Sequence, residues 1–369
     1  MKQQATGLKT GLLLEKLRNR LDQIDHEILT LLAARQTIAQ EIGQEKKRLG
    51  LDVVDLAREQ AVVERLARDA KHPLSSQAIR VIYREIISAA RSVQQPIAVG
   101  YLGPEGSFCH QAALRFFGKL SGLQAYGTIE DVFSVVERGK CNMGIVPVEN
   151  SYQGSVGTTL DLLYEYDLKV QGEIFLRIRH HLLSNQDKTE NVDCVYSHPM
   201  ALAQCRAWLR ENLPGIKIIE TASTSEAARL ATNRQGAAAV GSEIAADIYK
   251  LKVLVRDIED RPDNVTRFLI IGKNAAWRGL RSKTSVLFSL PHRPGALSRV
   301  ISPLAKARIN MTRIESRPAK GKKWEYLFFV DIEGHKEDPR IAQALKEMEE
   351  ACSYFKDLGS YSAGGEPWD

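Results

Sequence analysis

Cysteine is scarce and unpaired in this chain: Cys109, Cys141, Cys194, Cys205 and Cys352 are odd in number, far apart and without a CxxC spacing. That excludes a disulfide framework and a cysteine-built zinc site. No apolar run approaches the roughly 20 residues that a membrane span requires. The opening MKQQATGLKTGLLLEK has only Gly11-Leu12-Leu13-Leu14 before charge resumes, too short for a secretory core, so cytoplasm is the expected compartment and no membrane partner is expected. A dense block of one charge is also missing. The 51 basic residues are spread among 45 acidic ones for a net +6, which argues against a nucleic-acid partner and for a mild attraction to small anions. There is no short-period repeat and no low-complexity segment.

What is present is length and changing grammar. At 369 residues the chain should hold two to four domains. From Leu14 to about Glu45 apolar residues recur in steps of three and four (Leu14, Leu17, Leu21, Ile24, Ile28, Leu31, Ile38, Ile42), which predicts one long helix with a heptad seam. A break at Leu49-Gly50-Leu51 precedes a predicted helix from Val54 to Ala70, and His72-Pro73 separates it from a third, Ser75 to Gln94. After Pro96 short strands and helices alternate: strands at Ile97 to Tyr101, Met143 to Val148, Val192 to Ser197, Ala237 to Val240 and Phe268 to Ile271, helices at Phe108 to Phe117, Ile129 to Glu137, Ala201 to Glu211 and Ser225 to Thr232. This is α/β grammar in two lobes. From Lys283 the order becomes βαββαβ, with strands at Ser285 to Leu290, Ile309 to Ser316, Glu325 to Glu333 and Tyr354 to Tyr361, and helices at Gly295 to Ala307 and Ile341 to Cys352. That order suggests a ferredoxin-like sandwich.

In the first helix, the heptad that carries Leu14, Leu21, Ile28 and Ile42 places Arg35 where the seam asks for a hydrocarbon. Arg18 and Lys46 share one heptad position four residues on, so all three cations flank one side. Asp55, Arg58 and Glu59 occupy one face of the next helix. Arg18 and Arg35 lie about 25 Å apart along a helix. One small anion touches both only if Arg18 comes from a partner chain, so an intertwined helical dimer is expected.

The pattern Leu17-Arg18-x6-Asp25, Leu31-Leu32-x2-Arg35, Gly43-x2-Lys46, Asp55-x2-Arg58-Glu59 and Tyr83-Arg84-Glu85-Ile86-Ile87 resembles the all-helical chorismate mutase family. The resemblance implies that Arg18, Arg35 and Arg58 bind the carboxylates of chorismate, Lys46 and Gln94 (or adjacent Gln95) bond the ether oxygen, and Asp55 and Glu59 hold the hydroxyl side. Ala90 stands where some members carry serine. The reaction is a unimolecular rearrangement that needs no nucleophile, metal or cofactor. The site must fold a flexible dianion into a chair and stabilise negative charge on the breaking C–O oxygen.

Further on, Gly103-Pro104-Glu105-Gly106-Ser107-Phe108, Gly144-Ile145-Val146-Pro147-Val148-Glu149-Asn150-Ser151, Ser197-His198-Pro199-x-Ala201-Leu202-x-Gln204 and Asp263-Asn264-Val265-Thr266-Arg267-Phe268 put small or polar residues at strand ends. Open α/β sheets bind ligands there. In this order the segments resemble prephenate dehydratase, whose fold is two α/β lobes like a periplasmic binding protein with substrate between them. The resemblance makes Thr266 the residue most tied to catalysis, Arg267 and Phe268 the rest of its motif, and Glu149, Asn150, Ser151, Ser197 and Gln204 the polar lining. Met200 replaces a usual glutamine. The leaving hydroxyl needs a proton or a strong donor. Thr266 orients or polarises it while Glu149 or a water supplies the proton, with His198 the alternative acid. His180-His181 do not suggest a metal, because adjacent strand residues face opposite ways.

Pro294-Gly295-Ala296-Leu297-Ser298-Arg299-Val300 and Ile314-Glu315-Ser316-Arg317-Pro318 resemble the two effector motifs of ACT regulatory domains. That implies phenylalanine held between paired modules by Gly295, Ala296, Leu297 and the edge Glu315, Ser316, Arg317 and Pro318. The expectation is thus a multidomain enzyme with a helical mutase domain at 12–95, a two-lobed dehydratase domain at 96–273 and an α+β ferredoxin-like ACT domain at 283–369. Chorismate and prephenate are the expected substrates, phenylalanine the effector, a homodimer or higher homo-oligomer the assembly, and no cofactor or metal is required. Two rivals stay open. One is a dehydratase whose helical domain only dimerises, the other a non-catalytic amino-acid sensor.

Overall fold

The computed structural model describes residues 2–50, 54–276, 278–279, 281–319, 326–365 and 367–368, with residues 2–12 as backbone only. Leu51 of the expected helix break and Glu325 of an expected strand lie outside the described residues.

The helical domain is α1 (Lys2–Arg48), α2 (Leu56–Arg68) and α3 (Ser76–Gln94). Asp55 and Ser75 start the second and third helices by accepting hydrogen bonds from the Arg58 and Ala78 amides. The first helix begins earlier than the seam predicts and extends about 70 Å. Its C-terminal part packs on α3, where Gly43 approaches so closely that an added Cβ would meet Gln94 Cγ at 2.9 Å. Leu14, Leu17, Leu21, Ile24, Ile28 and Leu31 are all exposed.

The first lobe contains β1 (Ala98–Leu102), α4 (Phe108–Phe117), β2 (Gly122–Tyr126), α5 (Ile129–Glu137), β3 (Met143–Asn150), β4 (Gly154–Ser155), α6 (Gly157–Glu165) and β5 (Lys169–Arg177). The chain crosses to a second lobe of β6 (His181–Ser184), β7 (Cys194–Ser197), α7 (Pro199–Gln204), α8 (Arg206–Asn212), β8 (Lys217–Glu220), α9 (Thr224–Thr232), β9 (Ala237–Gly241), α10 (Glu243–Tyr249) and β10 (Lys252–Val255). It then returns as β11 (Val265–Gly272). The single helix expected over Ala201 to Glu211 is broken at Cys205, whose amide bonds to both Ala201 and Leu202 carbonyls. The C-terminal module is β12 (Ser282–Ser289), α11 (Ala296–Lys306), β13 (Met311–Pro318), β14 (Tyr326–Glu333), α12 (Pro339–Ala351) and β15 (Tyr354–Ser362), in the expected βαββαβ order.

The first lobe and the module share one sheet, in the order β13-β14-β12-β15-β5-β11-β3-β1-β2, joined where β15 meets β5 at Ser362 and Gly172. The second lobe has its own sheet, β10-β6-β9-β7-β8. The return strand β11 lies between β5 and β3, so the Asp263-to-Phe268 motif is threaded into the first lobe at the point where the chain leaves the second. Val99, Ile145, Val146, Ile270 and Ile271 are fully buried in that sheet, which makes it a rigid platform.

Candidate active sites

In the helical domain, charges converge where α1, α2 and α3 meet. Burial pushes the Glu59 carboxyl up to about 7, opposed by the Arg91 charge and more weakly by Lys46 and Arg35, while Asp55 adds to the rise. Arg91 Nε lies 3.3 Å from Glu59 Oε2. Gln94 faces α1 at Gly43. Gln95 instead caps α3 and lines a cavity of about 240 Å³ with Val54, Leu56, Ile97, Cys141 and Lys273. The Arg35 Nη1 atom is buried without a hydrogen-bond partner, as a group awaiting an anion would be. Asp55 is engaged as the α2 cap. Arg58 and Arg18 are exposed, and Arg18 is on the projecting part of α1.

Arg91 escaped the sequence reading. Its side chain is 4% exposed and its guanidinium lies over the Phe117 ring at 5.6 Å, so it connects this pocket to the first lobe. The available signal was a cation among Ile87, Ser88 and Ala90, the other buried residues of α3, the same logic that singled out Arg35.

Between the two lobes a chain of polar side chains ends on Thr266. Asn150 Nδ2 donates to Thr266 Oγ1 at 2.9 Å and to Asn264 Oδ1 at 2.8 Å. Asn264 Nδ2 donates to Gln204 Oε1 at 3.0 Å, and His180 Nε2 reaches the same oxygen at 2.7 Å. Burial, outweighing Gln204 and Glu259, holds the His180 imidazole below its ordinary range, so it is neutral and donates from Nε2. Since Thr266 Oγ1 accepts from Asn150, its own proton is not spent on that bond. The second lobe closes on the first through the Gly103-to-Ser107 turn: Ser225 and Ser242 hydroxyls donate to the Glu105 and Gly106 carbonyls at 2.7 and 2.8 Å. Gly106 has φ +82°, and a Cβ there would sit 2.8 Å from Ser225 Oγ, which explains glycine at this contact.

Several expected lining residues are elsewhere. Glu149 and Arg267 are cross-strand partners whose neighbours Asn150 and Thr266 face the polar chain. Strand alternation sends Glu149 and Arg267 to the reverse face. There Arg267 pairs with Glu173 and Asp331, and Glu149 lies 3.2 Å from Arg313. Phe268 is buried in the first lobe's core. Ser197 Oγ donates to the Val240 carbonyl at 2.7 Å, fully buried within the second lobe. Ser151 Oγ accepts from the Val265 amide and so holds β11 beside β3. His198 caps α7 through the Met200 amide. Asn264 and His180 were missed as members of the cluster. Asn264 was legible from the period of two with Thr266, whereas His180 is brought in only by the lobe crossing.

In the module, Gly295 caps α11 at φ +76° with open space around it, and Ala296 is buried while Leu297 is half-buried. Alternation along β13 turns Arg313, Glu315 and Arg317 inward and leaves Ile314, Ser316 and Pro318 exposed. Arg317 Nε donates to Asp161 on α6 at 3.0 Å.

Comparison with known proteins matches residues 17–95 to chorismate mutase type II, 99–276 to prephenate dehydratase and 284–350 to the ACT domain. A protein of Aquifex aeolicus named bifunctional chorismate mutase/prephenate dehydratase is 47% identical over 352 residues, covering 94% of this chain and 97% of the relative. Among solved structures, prephenate dehydratase from Arthrobacter aurescens in complex with L-Phe aligns with TM-score 0.67 at 30% identity, over 72% of this chain and 90% of that one. A protein described as a novel type of quorum quenching acylase aligns with TM-score 0.66 at 30% identity, over 72% and 98%.

Proposed function

From the premise that the chain belongs to the family of bifunctional chorismate mutase/prephenate dehydratases, we infer that it rearranges chorismate to prephenate in its helical domain. It then dehydrates and decarboxylates prephenate to phenylpyruvate between the two lobes, under feedback by phenylalanine at the C-terminal module. The observation that carries this reading is the Asn150–Thr266 hydrogen bond at the end of a buried polar chain. With Thr266 Oγ1 accepting from Asn150, the hydroxyl keeps its own proton available to donate to a substrate.

For the rearrangement, Arg35 with its unpartnered Nη1, together with Arg58, clamps carboxylates, Lys46 and Gln94 meet the ether oxygen, and Glu59, whose carboxyl burial raises to about 7, holds the hydroxyl side with Asp55. No bond to the protein forms. The site acts by orientation and by charges that are best placed when the C–O oxygen becomes negative. Arg18 completes the pocket from a partner chain. The exposed apolar stripe from Leu14 to Leu31 supports that assembly, because a helix with such a face is stable in water only against another apolar surface.

For the dehydration, the Thr266 hydroxyl donates to the leaving hydroxyl of prephenate. Asn150 fixes and polarises it, and the Asn264–Gln204–His180 chain keeps that arrangement locked across both lobes. With Glu149 on the reverse face, the proton that finally leaves with the hydroxide comes from water. Departure of carbon dioxide supplies the electron pair that completes the aromatic ring.

Incubation with chorismate and, separately, with prephenate, following chorismate loss and phenylpyruvate formation in each, tests both activities, and repeating the prephenate assay with phenylalanine present tests the feedback. A helical domain kept only for dimerisation gives phenylpyruvate from added prephenate and no loss of chorismate. A sensor gives neither.

A further inference from the structure

Behind Thr266, on the face of β11 turned away from the polar chain, the Arg267 guanidinium spends every nitrogen on buried partners. Nε donates to Glu173 Oε2 at 2.8 Å, Nη1 to Asp331 Oδ2 at 2.6 Å and Nη2 to the Tyr361 hydroxyl at 3.0 Å. Glu173 belongs to β5 of the first lobe, but Asp331 and Tyr361 are on β14 and β15 of the C-terminal module. The module also holds the partners. Lys283 Nζ lies 2.8 Å from Glu173 Oε1, the Gly364 amide donates to the same oxygen at 2.8 Å, and Ser285 Oγ donates to Asp331 Oδ1 at 2.5 Å. Burial works to raise the Asp331 carboxyl, but the Arg267 charge, the hydrogen bonds from Ser285 and Arg267 and the Arg313 charge together hold it below its ordinary range, so the pair is charged. A second contact lies beside it. Arg313 of β13, the strand that carries the Glu315-to-Pro318 motif, lies 3.2 Å from Glu149 and donates to Ser155 at 2.7 Å.

Glu149 and Arg267 face each other across β3 and β11, and the next pair along the same strands is Asn150 and Thr266. A buried charged pair cannot separate without a large cost, so a displacement of the module has to carry the Arg267 backbone with it or break the pair. Thr266 is the adjacent residue. Its Oγ1 must hold a 2.9 Å bond to Asn150, and errors of an ångström at a reacting group cost orders of magnitude in rate.

We propose that Arg267 is a positioning residue of the dehydratase: it sets the Thr266 hydroxyl from the reverse face of β11, and its anchors Asp331 and Tyr361 make it the point at which the position of the C-terminal module reaches the reacting groups. This rests on the reading that Thr266 serves dehydration and that phenylalanine binds the module. Arg267 does not touch substrate.

The test uses the full-length chain with prephenate as substrate. Arg267→Met should lower kcat about 10- to 100-fold with KM for prephenate changed less than about twofold, and Arg267→Lys should recover part of the loss. On the module side, Asp331→Asn and the milder Tyr361→Phe should still bind phenylalanine by calorimetry. The effect of phenylalanine on dehydration, about 5-fold or more for a coupling of ordinary size, should shrink to less than about twofold. Thermal unfolding identifies any variant that fails to fold, and Tyr361→Phe, which keeps the buried ring, carries the test if Asp331→Asn is lost. A raised KM with normal kcat in Arg267→Met would make Arg267 a substrate contact and overturn the proposal. So would full phenylalanine response in both module variants. If instead the unaltered chain makes no phenylpyruvate from prephenate, or binds no phenylalanine, the underlying functional reading has failed and not this inference.

Discussion

Replacing Thr266 with valine isolates one hydroxyl. Valine matches threonine in shape and suits a strand, and Thr266 is 9% exposed, so packing changes little. The loss is confined to one acceptor for Asn150 Nδ2 and one donor into the cleft. Asn150 keeps its 2.8 Å bond to Asn264, so only one of its two amide hydrogens is orphaned, a cost of about 1–3 kcal/mol. For a domain of this size that lowers the unfolding midpoint by a few degrees, on the order of 2–4 °C per kcal/mol, and the variant stays folded at assay temperature. Removing a donor aimed at a developing negative oxygen costs about 100- to 1,000-fold in rate, or roughly 2.7–4 kcal/mol. Phenylpyruvate formation from prephenate at neutral pH should fall by that factor, while chorismate consumption, measured on the same preparation, stays within about twofold. Near-normal phenylpyruvate production would remove Thr266 from the reaction and refute the donor chain behind it. Equal loss of both activities would point to general damage.

Arg35→Ala should abolish most chorismate turnover and leave dehydration of added prephenate within about threefold, since Arg35 lies in the helical domain far in sequence from the polar chain; matched loss of both in a folded protein would contradict separate sites. Glu59, raised from 4.5 to about 7 first by burial, is neutral below that value and able to donate, so mutase kcat/KM should fall as pH rises through about 7, and Glu59→Gln should flatten that limb; an unchanged limb refutes the assignment. Its contribution to folding has the same direction: because the folded pKa lies above the unfolded one, stability from this group is full below 4.5 and lost as pH rises from 4.5 through about 7, which denaturant melts across that window detect. Gly295→Val should weaken phenylalanine binding through the backbone, because φ +76° is hostile to a β-branched residue although no atom stands near its Cβ; calorimetry showing unchanged binding would exclude that turn from the effector site. Leu21→Glu should split the proposed dimer, read as a halved mass by light scattering, and take mutase activity with it because Arg18 is lost from the partner's pocket.

The domain sequence was legible because each domain has its own period: 3.5 to 3.6 along α1 to α3, two in the strands, and a βαββαβ order at the end. In the helical domain spacing alone singled out Arg35 as a cation in an apolar seam, and Arg91 among the buried residues of α3 obeys the same rule, while the roles expected of the other charged residues came from the family resemblance. Contacts between remote segments were not. His180 joins the Thr266 cluster only because the chain crosses between lobes, and nothing local to His180-His181 announces Gln204 as a partner. Strand β5 was missed although Val170, Gly172, Ile174 and Leu176 alternate inward: Gly172 weakens the apolar signal, and Glu173 is buried through pairing with Arg267 and Lys283, remote partners that nothing local announces.

The placing of Glu149 and Arg267 away from the Thr266 face has a different origin, and it bears on how a motif in a strand is read. A run such as Asn264-Val265-Thr266-Arg267-Phe268 invites one role for all its members. In an extended chain, however, consecutive side chains serve opposite faces, so a short string can hold two sites back to back. Here Asn264 and Thr266 face the lobe junction, while Arg267 faces Glu173 and Asp331. On β3, Asn150 joins the first face and Glu149 the second. The arrangement gives regulation a short path: the module need not enter the cleft or contact a ligand there, because the reverse sides of the two strands that carry Thr266 and Asn150 are already in its grip. Any substitution in either motif therefore has to be assigned to a face before its kinetic effect can be assigned to chemistry or to coupling.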